Sequence, residues 1–77
     1  MEYIKAIGKR LGSILKQRKL TQAVLAKNSG VSRMTVNGIV RGRVKIISFE
    51  ILLKLCKALD MTLWEFFDVS IFDCTLN

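Results

Sequence analysis

Apolar residues recur along the first eighteen positions at the spacing of one face of an α-helix. Lysines and arginines fill many of the positions between them, so the segment is strongly amphipathic. The apolar positions are Ile4, Ile7, Leu11, Ile14 and Leu15. This pattern predicts a first helix from about Tyr3 to Arg18.

The next two helices are each predicted to begin at a hydroxyl residue, Thr21 and Ser32, whose side chain can cap free backbone N–H groups. The second helix runs to about Asn28, and Gly30 suits the left-handed conformation that follows a helix end. The third helix closes at Gly42. Two short helices joined by a glycine-containing turn form a helix-turn-helix unit. Its predicted inward residues are Leu25, Ala26, Val31, Val36, Ile39 and Val40.

Residues 43–47 are interpreted as a connector, because this β-branched run has no obvious partner strand. Ser48 opens a fourth helix through Leu59. Thr62 opens a short fifth helix, in which its spacing to Glu65 is that of a capping box. The side chains expected to be buried by the fourth helix are Phe49, Leu52, Leu53, Cys56 and Leu59. The sequence therefore predicts an all-α domain of five short helices.

Charge is distributed unevenly along the 77 residues, whose net charge is +7. Between Tyr3 and Phe49 there are eleven Lys or Arg residues and no Asp or Glu, whereas five of the six acids lie from Glu50 onward. A basic segment of this kind favours an anionic partner, with nucleic acid ahead of an anionic membrane surface.

Several other classes of function are disfavoured by what the sequence contains. There is no histidine, and no paired acid–base site or phosphate-cradling glycine loop is recognisable, so the chain is not expected to be an enzyme or to need a cofactor. Cys56 and Cys74 lack metal-ligand spacing, and Cys56 is expected to be a buried free thiol. The apolar runs are too short to span a bilayer and no signal peptide is evident, so a cytoplasmic location is expected.

From Ile7 to Asp68, about four-fifths of its length, the chain resembles the Cro and phage-repressor family of helix-turn-helix regulators, which are xenobiotic-response-element-like. The matching stretches are IGKRL (7–11), LTQAVLA (20–26), GVSRMTV (30–36), RG (41–42), LLKLCKALD (52–60) and TLWEFF (62–67). The resemblance implies a lambda-repressor-like fold and a transcriptional regulator that binds a double-stranded DNA operator as a homodimer, usually as a repressor.

The resemblance also implies which residues face DNA. The residue after the second-helix cap would reach a phosphate, the start of the third helix would enter the major groove, and the connector would pass the DNA backbone. Arginine near a helix start can bond guanine O6 and N7, and methionine can touch a thymine methyl. The expected DNA-binding residues are Gln22, Ser32, Arg33, Met34, Thr35, Asn37, Arg41, Arg43 and Lys45.

Several positions depart from the family pattern. Leu15 and Val40 replace an arginine and a glutamate that are often paired, and the loss of both avoids the cost of about 3–5 kcal/mol of a stranded buried charge. Val24 replaces the glutamate that would complete a capping box, and Lys19 replaces a common glycine and adds charge near the phosphate path. Gly38 lies within a helix, where either close approach to DNA or a tolerant surface position would explain it.

Residues 1–68 are predicted to form the helix-turn-helix domain and residues 69–77 an apolar C-terminal tail that contributes to dimerisation. The expected dimerisation residues are Trp64, Phe67, Ile71 and Phe72. An alternative is an antitoxin or an adaptor with the same fold, whose protein partner would be a toxin or another regulator. A membrane-surface peptide is disfavoured, since residues 20–68 have the pattern of a core of their own.

Overall fold

The computed structural model describes residues 3–69, and within them the chain forms five helices and no strand. The helices are α1 (Tyr3–Arg18), α2 (Gln22–Ser29), α3 (Arg33–Val40), α4 (Phe49–Ala58) and α5 (Leu63–Phe67). The predicted all-α class and helix order are confirmed, with boundaries within one or two residues of those expected. The predicted tail residues Ile71, Phe72 and Cys74 lie outside the described residues.

Each of the four later helices is capped as the sequence predicts. The side chains of Thr21, Ser32, Ser48 and Thr62 accept hydrogen bonds of 3.0–3.1 Å from the backbone N–H three residues on. At α5 the capping box is complete, because the Thr62 N–H also donates to the Glu65 carboxylate over 3.0 Å. Hydrogen bonds from Thr62, first from its backbone and then from its side chain, lower the pKa of Glu65.

The core lies where α3 packs against α1 and α2, and α4 extends it by packing on α2 and α5. Val36, Ile39 and Leu25 are at most 1% exposed, as the helix-turn-helix pattern predicts. Leu15 is buried and Val40 partly buried against the core, so both replacements of the family's ion pair are apolar packing residues. Burial raises the pKa of the Cys56 thiol, which is free.

A close approach between α1 and α3 depends on Gly8. A Cβ atom at this position would lie 2.2 Å from the carbonyl oxygen of Ile39 and 3.0 Å from that of Val40. Both neighbours are backbone atoms, so a side chain would force the two helices apart. Nothing in the hydrophobic pattern of α1 indicated this contact.

The predicted inward face of α4 is partly wrong. Phe49 is 66% exposed and Leu53 43% exposed, whereas Leu55 is 1% exposed. The buried stripe runs instead through Leu52, Leu55, Cys56 and Leu59, at the spacing i, i+3, i+4 and i+7. Leu53 is rotated by about 100° from Leu52 around the helix, and Phe49 lies in the first turn, at the open end of the stripe.

Two arginines of α1 bond the C-terminal carbonyls of the last two helices. Arg10 donates from Nε to the Phe66 oxygen over 2.7 Å and from Nη2 to the Glu65 oxygen over 3.0 Å. Its guanidinium also lies 5.8 Å from the centre of the Phe66 ring. Arg18 donates from Nη1 to the Leu59 oxygen at the end of α4. Because the last carbonyls of a helix lack a following turn of N–H donors, these guanidinium groups supply donors there and connect α1 to α4 and α5.

None of the helices within residues 3–69 is long and apolar enough to cross a membrane.

Candidate nucleic-acid interface

Helix α3 presents its side chains in two directions. Val36 and Ile39 point into the core, and Gly30, at φ +75°, makes the turn that sets α3 against α2. On the opposite side, Arg33 is exposed and Met34 is 85% exposed. The geometry agrees with the expectation that Met34 lies on the surface rather than in the core.

The two hydroxyls at the start of α3 form a local network. The Ser32 hydroxyl accepts from the Thr35 N–H over 3.1 Å and donates to the Thr35 hydroxyl oxygen over 2.8 Å. Ser32 thereby uses its one hydroxyl hydrogen within the helix cap. The Thr35 hydroxyl is the acceptor in this bond, so it still has its own hydrogen to donate.

The side chains of Gln22 and Asn37 join α2 to α3. Asn37 donates from Nδ2 to Gln22 Oε1 over 2.9 Å, and both residues are half-buried. The structure thus brings together two predicted DNA-binding residues that are fifteen positions apart in the chain.

The connector after α3 folds back onto that helix. The Arg43 N–H donates to the Gly38 oxygen over 2.9 Å, and a Cβ atom on Gly38 would lie 3.0 Å from Val44 Cγ1. The space beside Gly38 is therefore occupied by Val44, a packing role that the sequence analysis did not offer. Along this connector the basic residues Arg41, Arg43 and Lys45 are exposed.

A basic groove of about 520 Å³ lies between the start of α1 and this connector. Lys5, Arg43 and Lys45 line it, together with Tyr3, Ile4, Gly42 and Val44. Lys5 packs over Gly42 beside the groove. A Cβ atom added to Gly42 would lie 3.1 Å from Lys5 Cγ. Lys5 was not among the predicted DNA-binding residues, because its place in the amphipathic pattern of α1 does not reveal that the connector lies beside it.

The electrostatic character of this side follows from the composition of residues 3–49, which include eleven cations and no carboxylate side chain. Repulsion among the cations is relieved by an anionic partner, and DNA phosphates supply regularly spaced negative charge. Among residues 3–69, no three His, Cys, Asp or Glu side chains are grouped so that they could hold a metal ion.

An apolar surface lies at the other end of the described chain, on α4 and α5. Phe49, Leu52, Leu63, Trp64, Phe67 and Asp68 line a groove there. Trp64 is 85% exposed, and Phe67 is half-buried with its ring edge-to-face against Phe66 at 5.1 Å between centres. Two of the four predicted dimerisation residues, Trp64 and Phe67, therefore lie on one groove.

Comparisons with known proteins agree with this geometry. The model of the Cro/C1-type helix-turn-helix DNA-binding domain matches residues 10–70. The chain is similar to the crystal structure of the restriction-modification controller protein C.AhdI from Aeromonas hydrophila. The two are 34% identical with a TM-score of 0.79, over 87% of this chain and 100% of the other. No curated protein matches the chain.

Proposed function

The chain belongs to the Cro/C1-type helix-turn-helix family and is a DNA-binding transcriptional regulator, and we propose that it represses transcription as a homodimer bound to a roughly palindromic operator. The observation that carries this proposal is the arrangement of α3. Its inward residues anchor it in the core, while Arg33 and Met34 project from its N-terminal end. In helix-turn-helix proteins the N-terminal end of the second helix of the motif, which here is α3, contacts base edges in the major groove.

Arg33 and Met34 are the proposed base-reading residues. A bidentate contact from arginine to guanine gives about 1–3 kcal/mol of discrimination against other bases. Met34 has no donor to offer, and its exposed thioether side chain suits apolar contact with a thymine methyl. Ser32 begins the same surface, where it caps α3 and donates to the Thr35 hydroxyl oxygen.

The proposed phosphate contacts come from α1, α2, α3 and the residues that follow α3. Gln22 lies in the first turn of α2, where free N–H groups favour an anion. Thr35 donates from α3, and Arg41, Arg43 and Lys45 follow it along the connector. We add Lys5, because it shares the basic groove with Arg43 and Lys45. These contacts supply affinity and orientation rather than sequence preference.

We propose that two copies associate through the apolar surface of α4 and α5. The exposure of Trp64 and the groove that it shares with Phe49 and Phe67 support this proposal. The tail residues Ile71 and Phe72 remain predicted members of the same interface. A dimer of this kind would place two α3 helices on half-sites about one turn of DNA apart.

The genes to examine first are those of restriction and modification. The neighbouring structure is named as a controller protein of such a system, and it is 34% identical over 87% of this chain. We therefore propose that the operator lies upstream of genes of that class.

The test is selection from a random duplex library at about physiological salt, followed by sequencing. We expect a two-fold symmetric motif from the wild-type protein. Arg33→Ala should relax preference at one position of each half-site, and Arg43→Ala should keep the motif but bind it more weakly and with a smaller salt dependence. The absence of any motif would contradict operator binding, and an unchanged motif in Arg33→Ala would exclude Arg33 as a base reader.

A second candidate function, binding to a toxin or another regulator, is favoured by one observation. Phe49 and Trp64 together expose a large apolar area for so small a domain. If that area stays open in the dimer, a protein partner is the better explanation of it. Fluorescence quenching of Trp64 in the dimer would distinguish a dimer interface from a docking site. A protected Trp64 would support the interface, and an exposed Trp64 would support a protein partner.

A further inference from the structure

The hydrogen bond between Asn37 and Gln22 restricts the orientation of the glutamine side chain. A glutamine amide has one accepting oxygen and one donating nitrogen, and their positions exchange when the group rotates by 180°. Here Oε1 accepts from Asn37 Nδ2 over 2.9 Å. The oxygen is therefore turned towards α3, and Nε2 is left on the opposite edge of the amide group, away from Asn37.

This orientation matters for a phosphate, which only accepts hydrogen bonds. Nε2 of Gln22 can donate to a phosphate oxygen, whereas Oε1 in its place would meet that oxygen with like partial charge. Gln22 is also the first residue of α2, where the backbone N–H groups and the helix dipole favour an anion. A side chain held with its nitrogen outward adds a donor to the same site without having to be ordered on binding.

Asn37 differs from the proposed base readers of α3 in where its side chain lies. Arg33 and Met34 are exposed, but Asn37 is half-buried and reaches across to α2. Its amide is thus already engaged within the free protein. Asn37 was expected from the sequence to touch DNA, and its contact with Gln22 indicates a different role.

We propose that Asn37 is a positioning residue, which fixes the Gln22 amide so that Nε2 faces the DNA backbone. The proposal rests on the proposed DNA-binding function and adds a link between the two helices. Because the partner of Gln22 lies on α3, the phosphate contact of α2 forms in fixed geometry to the helix that enters the major groove.

The test is a double-mutant cycle on the selected operator at fixed salt, with Gln22→Ala, Asn37→Ala and the double variant. We expect Asn37→Ala to weaken operator binding about 3- to 10-fold, the range of one hydrogen bond, and to leave the base preference unchanged. The double variant should bind within about twofold of Gln22→Ala, since Asn37 acts through Gln22. Asn28→Ala, which removes an exposed asparagine from the same helix pair, should bind as wild type.

The isosteric change Asn37→Asp gives a second test of the positioning role, in which the side chain keeps its size. Aspartate only accepts, so the Gln22 amide must turn and present its oxygen to the phosphate. The added negative charge lowers affinity by itself, and the Gln22→Ala background measures that effect alone. We expect Asn37→Asp to cost at least threefold more when Gln22 is present than when it is absent.

Losses that add independently, or a changed base preference in Asn37→Ala, would overturn the positioning role and restore Asn37 as a direct contact. Equal costs of Asn37→Asp in both backgrounds would overturn it as well. These outcomes are distinct from failure of the proposed function, which would appear as a wild-type protein that selects no motif.

Discussion

Individual side chains of this domain show where DNA binding and stability make different demands on the chain. Lys19 joins α1 to α2 at φ +56°, in the left-handed region that side chains other than glycine adopt at a cost of about 1–2 kcal/mol. Members of the family commonly have glycine at this position. Lysine here places a cation just before the proposed phosphate site at Gln22. The strained backbone therefore lowers stability, while the added charge favours DNA binding.

Lys19→Gly is therefore expected to stabilise the protein and weaken its binding to DNA. Relief of the strain, less the greater backbone freedom of glycine when unfolded, should raise the free energy of unfolding by about 0.5–1 kcal/mol. Loss of one phosphate contact should reduce the slope of log K against log salt by about 0.9. Urea unfolding and a salt titration of operator binding measure the two effects.

Asp60 provides the control, since it has φ +54° in the turn between α4 and α5. Asp60→Gly relieves strain at a site away from the proposed interface, so operator affinity should not fall. A full salt slope in Lys19→Gly would show that Lys19 does not contact a phosphate.

Caps and turns could be predicted from the sequence because they depend on near neighbours. Thr62 and Glu65 complete their capping box within four residues, and Gly30 follows a helix end by position alone. The reasons for Gly8 and Gly38 could not be predicted in the same way. Gly8 depends on the carbonyls of α3, about thirty residues along the chain, and Gly38 depends on how the connector folds back to bring Val44 beside it.

The helices, too, were predictable from local sequence in some respects and depended on the fold in others. Hydrophobic periodicity and cap residues together predicted all five, but periodicity misassigned Phe49 and Leu53, because burial on α4 depends on which neighbouring helix covers each side of it. The candidate interface shows the same limit. The order of residues in α3 predicted which side chains are exposed, whereas the place of Lys5 beside the connector and the bond between Gln22 and Asn37 required the fold.

The contact between α1 and α5 has consequences for stability. Arg10→Met should lower the free energy of unfolding by about 1.5–3 kcal/mol, because the methionine keeps apolar contact but loses two charge-assisted hydrogen bonds to the end of α5. Urea denaturation gives the value. Lys9→Met removes the same charge from the neighbouring exposed position and should change stability by less than about 0.5 kcal/mol. Equal effects of the two variants would show that Arg10 contributes only charge.

The molecule as a whole separates two kinds of surface along its sequence. The cations of α1 to α3 and of the connector are followed by residues 49–69, which include α4 and α5, four acids and the exposed rings of Phe49 and Trp64. In the proposed repressor the first part binds DNA and the second part holds two copies together. Such a division lets one surface be altered without the other at exposed side chains, since Met34 and Trp64 both project from the core.

Trp64→Ala tests that division, with Met34→Ala as its match because both side chains are 85% exposed. Removing a tryptophan from the centre of an interface commonly costs 2 kcal/mol or more, so the dimer dissociation constant should rise at least about 30-fold in Trp64→Ala. Met34→Ala should leave dimerisation unchanged and weaken operator binding. Sedimentation equilibrium measures dimerisation, and binding to duplexes with one or two half-sites measures operator affinity.

Trp64→Ala should lose affinity chiefly for the duplex with two half-sites. An unchanged dimer in Trp64→Ala would place the interface elsewhere and make the surface of α5 a docking site for another protein.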